Sequence, residues 1–130
     1  MAFLVESLRK AARLIETESN VRVAVPDMRE PEWAETLTDE FRRGCRPAGS
    51  FETSLVMSTK PALVRTEIMK GLAPVWINLG SKISAGARNF IEAGMEKVYL
   101  GDPCRATTEE GDICYEALAK MIAVSVKRLL

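Results

Sequence analysis

GCRPAGSFETSLVMSTKPALVR, residues Gly44 to Arg65, is the stretch on which the reading of this chain turns. Pro47-Ala48-Gly49 is a tight turn of small residues, and a helix follows it. Ser50 is a suitable N-cap, and Glu52 falls in the first turn, where a carboxylate complements the helix dipole. Phe51, Leu55 and Val56 supply an apolar stripe, Lys60 stands in the last turn, and Pro61 stops the helix. On local grounds alone this is a capped surface helix.

Working outward, residues 3 to 16 carry Leu4, Leu8, Ala11, Ala12 and Ile15 at helical spacing, with Asn20 near the C-cap. Val21 to Val25 (VRVAV) reads as a buried strand ended by Pro26. A polar loop leads to a second expected helix, Trp33 to Arg43, with Trp33, Leu37 and Phe41 along one stripe and Gly44 as terminator. Beyond the central helix, Gly71 to Gly80 is apolar but interrupted by Pro74, which suits an edge or irregular segment. A helix from Ser84 to Ala93 is expected to turn Ala87, Phe90 and Ile91 inward, and Lys97 to Leu100 to enter an extended segment. The last helix is the clearest. Thr107 and Glu110 form a capping box, and Ile113, Cys114, Ala117, Leu118, Met121, Ile122, Ser125 and Leu129 form its apolar-to-small face. Acids stand at its start and Lys127 and Arg128 at its end. This alternation favours one three-layer α/β domain over an all-α or all-β fold.

Two strings resemble the signature of the creatininase (creatinine amidohydrolase) family. One is Pro47-Ala48-Gly49-Ser50-Phe51-Glu52-Thr53-Ser54 followed by Pro61-Ala62-Leu63-Val64. The other is Gly101-Asp102-Pro103, then Ala106-Thr107 and Glu109-Glu110-Gly111. The resemblance implies a three-layer α/β/α creatininase-like domain over residues 1–130, lacking its N-terminal strands and so covering only the C-terminal half of the family fold. It implies amide C–N bond hydrolysis of a small-molecule amide, with zinc, manganese or iron in the complete site. The family's principal metal-ligand strings are absent here, so no metal ligand is assigned to this chain and no cofactor is expected on it alone. The family's turn histidine aligns with Pro47 and the carboxylate before it with Arg46, neither of which is a general acid at neutral pH. The resemblance therefore points to a subunit or partial chain of an amidohydrolase that is inactive by itself. The alternatives are a non-catalytic assembly or regulatory subunit of the same fold, or a truncated inactive product.

The candidate catalytic residue is Glu52, either near a metal site or simply satisfying backbone donors at a helix start. Arg46, Ser50, Trp33 and Trp76 are candidate substrate-binding residues. Arg46 could hold an anionic group, and the tryptophans could wall a pocket or fill a core.

Composition narrows the chemistry further. The chain of 130 residues contains no histidine and balances 18 basic against 18 acidic residues. No basic surface argues for nucleic acid or an anionic membrane, and no apolar run has the length of a spanning helix. Without imidazole, neither a His-containing metal site nor a Ser-His or Cys-His nucleophile can be built from this chain. The cysteines Cys45, Cys104 and Cys114 are odd in number and lack a CxxC pair, which suits reduced structural thiols and a cytoplasmic setting. A half-domain would leave sheet edges and helix faces uncovered. A homo-oligomer is therefore expected, or a hetero-oligomer with a histidine-bearing chain of the creatininase family.

Overall fold

The computed structural model describes residues 2–44 and 47–130. Among the described residues there are seven α-helices: α1 (Ala2–Ser19), α2 (Pro31–Ala34), α3 (Asp39–Arg42), α4 (Ser50–Thr59), α5 (Thr66–Met69), α6 (Leu79–Ser84) and α7 (Thr108–Lys127). Single 3-10 turns at Pro61–Leu63 and Pro103–Arg105 punctuate them.

The core is the packing of α4 on α7. Phe51 and Leu55 face Cys114, Ala117 and Leu118, and Leu37 and Phe41 close the cluster from α3 and the turn before it. The Phe41 and Phe51 rings meet at 4.9 Å in a tilted pair. Gly111 lets the two helices come this close. A Cβ there would fall 2.7 Å from both the Ser54 carbonyl carbon and the Ser58 Cβ. Ser54, fully buried, uses that closeness: its hydroxyl donates to Glu110 Oε1 at 3.0 Å and accepts from Thr107 N at 3.0 Å. A smaller cluster, Met95 and Leu100 against Val75, Ile77 and Leu79, holds the segment between α6 and α7.

Of the expected caps, the Thr107 side chain and the exit at Asn20 hold; the other half of the capping box does not, since Thr107 N donates to Ser54 Oγ and Glu110 Oε1 accepts from Ser54. Thr107 caps α7 by accepting from Glu110 N at 3.0 Å, and Asn20 leaves α1 with a φ of 54°, a left-handed exit. At α4 the N-cap is Gly49, one residue before the expected Ser50, which becomes the buried first helical residue.

The expected α/β/α sandwich is overturned. Among the described residues there is no sheet, only an isolated antiparallel bridge between Val75 and Gly101. Val21–Val25 is a strap rather than a strand: Val23 N donates to Glu16 Oε1 at 3.0 Å instead of to a neighbouring strand. Half-burial beside α1 satisfies Val23 and Val25, which is what β-propensity largely measures, without a ladder, while Val21 is exposed. Lys97–Leu100 is not a strand either. Val98 takes a φ of 58°, and Leu100 N donates to Pro47 O.

Two helices are also redrawn. The expected Trp33–Arg43 helix is broken into α2 and α3, because the Thr38 hydroxyl accepts from Phe41 N and starts a new helix. Trp33, Leu37 and Phe41 remain buried on one side through this break. The helix expected over Ser84–Ala93 instead ends at Ser84, having begun at Leu79 under an Asn78 cap, and Phe90 and Ile91 face solvent. On α7, Ile113 and Ile122 likewise lie outside the face that packs on α4.

Candidate functional site

Three segments remote in sequence converge on Glu40, a buried carboxylate on α3. Its Oε1 accepts from Phe51 N at 3.1 Å, and its Oε2 from Asp102 N at 2.7 Å. Gly49 and Gly101 make room for it: a Cβ on Gly101 would fall 2.9 Å from Glu40 Cγ, and one on Gly49 would fall 2.7 Å from the carboxyl carbon. Both of the family-like strings thus meet on one side chain that neither contains. Glu40 clips the start of α4 to the turn that precedes α7.

Beside the clip lies a cavity of about 320 Å³ whose walls include Ser50, Trp76, Asp102, Arg43, Arg105 and Glu110. Trp76 is half-exposed, with the Arg43 guanidinium 5.7 Å from its ring centroid. Asp102 Oδ1 is buried without a hydrogen-bond partner among the described residues.

The expected site residues separate. Ser50 and Trp76 share this cavity. Glu52 does not line it. It is exposed, and its Oε2 accepts from Ala48 N at 2.8 Å, the helix-start role that the sequence left open. Trp33 stands apart, buried against α7, with Arg128 over its ring at 5.4 Å and an Arg128–Glu32 ion pair beside it. Arg46 lies outside the described residues.

Sequence reasoning missed Glu40, and it named Ser54 and Glu110 only as members of the family-like strings and a helix cap. Glu40 sits in a charged run, DEFRR, that reads as a solvated helix face, and its contacts are with residues 11 and 62 positions away. The Glu-Thr-Ser string and the Thr107 box pointed to the neighbourhood of Ser54 and Glu110, but not to their pairing.

The donor set does not fit the metals that the resemblance implied. Among the described residues no group of three or more His, Cys, Asp or Glu side chains could hold a metal ion. Both Glu40 oxygens are occupied by backbone N–H groups, and Glu110 Oε1 is taken by Ser54. The expectation of zinc, manganese or iron at a family-type site is corrected on that ground. Among the described residues there is no sheet core to carry such a site, so the expectation of a subunit or partial chain of a creatininase-family amidohydrolase falls with it.

A different feature stands on the outside of the molecule. Leu4, Leu8 and Ile15 on α1 are 62%, 48% and 46% exposed, although they form the helix's apolar stripe. Tyr115, Ile122 and Val126 form a similar uncovered stripe on α7. No helix among the described residues is long and apolar enough to cross a membrane.

The family model described as Creatininase: Creatinine amidohydrolase matches residues 4–126. That span is nearly the whole chain, and the helical structure does not bear out its assignment to the C-terminal half of an α/β fold. No curated protein and no solved structure matches the chain.

Proposed function

We propose that this chain, which belongs to the creatininase family, works by association, presenting the outer face of α1 to another protein chain. The observation that supports this is the exposed stripe of α1. Leu4, Leu8, Leu14 and Ile15 are each about half to two-thirds exposed on a helix of 18 residues. Full burial of such a side chain contributes about 1.5–3 kcal/mol, so each of the four has roughly 1 kcal/mol still to gain. Among the described residues of this helix only Ala12 is buried; Glu16 ties it to the strap at Val23, and Arg9 ties it to Glu30 just before α2. Helix formation in proteins is sustained mainly by packing of an apolar face rather than by propensity. A partner on that face is the natural completion of α1. A cytoplasmic setting, suggested by unpaired thiols, belongs to the same reading.

Light scattering over a dilution series tests it. The wild-type chain is expected to gain mass with concentration, and Leu8→Glu to remain monomeric with its circular dichroism unchanged. A wild-type chain that stays monomeric throughout would end the self-association reading. A histidine-bearing chain of the same family would then be the partner to mix with it.

A further inference from the structure

Asp102 does not do what an aspartate at its position ordinarily does. It precedes the 3-10 turn Pro103–Arg105, yet its side chain makes no cap hydrogen bond there. Its Oδ1 is instead buried, and among the described residues nothing donates to it. An acceptor taken out of water without a donor is costly, and more so when it carries charge. The same carboxylate walls the cavity beside the Glu40 clip. The cations of that cavity are unpaired in the same way. Among the described residues neither the Arg43 nor the Arg105 guanidinium has a carboxylate partner, and Arg43 lies only over the Trp76 ring. The other acids on the wall are engaged: Glu40 through both oxygens, Asp39 by Arg42, and Glu110 through Oε1. Asp102 N donates to Glu40 at 2.7 Å, and Arg105 N donates to Asp102 O at 3.1 Å. A carboxylate and a guanidinium thus stand on one short, clipped turn without pairing with each other.

We infer that this cavity binds a free α-amino acid, its ammonium on Asp102 Oδ1 and its carboxylate on the Arg43 and Arg105 guanidinium groups. The inference goes beyond the association reading and does not depend on α1. Only a ligand carrying both charges answers all the unpaired groups. A simple anion, such as phosphate, engages the arginines but lies beside Asp102 and Glu110 and leaves the buried acceptor without a donor. A simple amine satisfies Asp102 but leaves both arginines unpaired and close to its own charge. An ammonium brings three donors to an acceptor that lacks one, and a guanidinium is a planar fork that matches a carboxylate. The volume, about 320 Å³, lies at the lower end of the range for ligand pockets, about 300–1,000 Å³, which suits a molecule of amino-acid size. Trp76 supplies a flat apolar wall for its side chain.

Isothermal titration of the full chain with the common amino acids, each at millimolar concentration and at two temperatures, tests it. At least one is expected to bind. The matching amine and the matching carboxylic acid, each lacking one of the two charges, are expected to bind about tenfold or more weakly. Asp102→Asn and Arg105→Gln are each expected to weaken the amino acid by about tenfold or more. Thermal unfolding of the ligand-free chains separates a ligand contact from a structural one. Asp102→Asn is expected to melt no lower than the wild type, because it removes an unpaired charge rather than a bond. A lower Tm, or failure to fold, would show that Asp102 serves the fold and would overturn the inference. So would binding of no amino acid, whether or not inorganic phosphate binds. An amine or acid bound as tightly as the amino acid, or binding that either variant leaves unchanged, would overturn it as well.

Discussion

Gly111→Ala sets two physical effects against each other, and the structure decides the sign. Gly111 lies inside α7, near its N-terminus, where replacing glycine by alanine ordinarily stabilises a helix by about 0.8–1.0 kcal/mol. Here the new methyl carbon would stand 2.7 Å from the Ser54 carbonyl carbon and from Ser58 Cβ. Carbon atoms pack at about 3.5–4.0 Å, so α4 and α7 would have to separate by roughly 1 Å. Both obstacles lie on α4, and the nearest atom of all, the Ser54 carbonyl oxygen, is backbone, which does not swing aside. Separation stretches the Ser54–Glu110 and Ser54–Thr107 hydrogen bonds and loosens Phe51 against Cys114. Overpacking costs about 1–3 kcal/mol, and leaving the buried Ser54 hydroxyl poorly bonded adds about 1–3 kcal/mol. After the helix gain is subtracted, the net loss is about 1–5 kcal/mol, and its midpoint corresponds to a fall in Tm of roughly 10 °C for a domain of this size. Thermal and urea unfolding followed by circular dichroism measure it. A variant as stable as the wild type, or more so, would refute the close contact of α4 and α7.

Glu40→Ala removes the acceptor for Phe51 N and Asp102 N. At about 1.5–3 kcal/mol for each bond to a charged group, it should cost roughly 3–6 kcal/mol in urea unfolding, with Glu40→Gln losing less. A cost below about 1 kcal/mol would mean that Glu40 is not the clip described. The Arg29 guanidinium holds the Asp27 carboxyl at about 2, below its ordinary 3.8. Since the folded value is the lower one, the pair's contribution of about 2 kcal/mol is present above pH 4 and lost as pH falls through 2. The stability gap between wild type and Asp27→Asn should therefore close between these limits, and a constant gap would count against it. Burial, with Glu110 adding to it, pushes the Cys114 thiol up to about 11, while Cys104 is exposed. In a Cys45→Ser chain at pH 8, one thiol should react with a disulfide reagent quickly and the other only on unfolding. Two fast thiols would contradict the buried position of Cys114.

How far the sequence carried this reading depends on the range over which each contact acts. The α4 and α7 helices, the Thr107 cap and the exit at Asn20 were legible because a cap is decided within four residues. The spacing of Trp33, Leu37 and Phe41 found the buried side of its segment. It could not show the break, because two short helices around a Thr38 cap keep the same side inward. Val21–Val25 misled for a related reason: a half-buried strap and a half-buried strand ask for the same residues, and only a ladder partner distinguishes them. The three-layer sheet came both from the apparent alternation of helices and strands and from the family-like strings, and it failed because the strand readings had no ladder partner. Those strings do come together, but around Glu40, whose partners are too distant in sequence for periodicity to register. Of the expected site residues, Ser50 and Trp76 reached a common cavity. Glu52 did not, because a carboxylate three residues into a helix has a backbone donor within reach.

The most direct test of the account is the amide I infrared spectrum, read with far-ultraviolet circular dichroism on the purified chain. An arrangement built on an 18-residue α1, a 20-residue α7 and the α4 helix between them should give a helical band and paired minima near 208 and 222 nm. It should show no resolved sheet band. A strong sheet component, of the size a central layer of several strands would give, would contradict the helical fold and with it the outward face of α1 on which association rests.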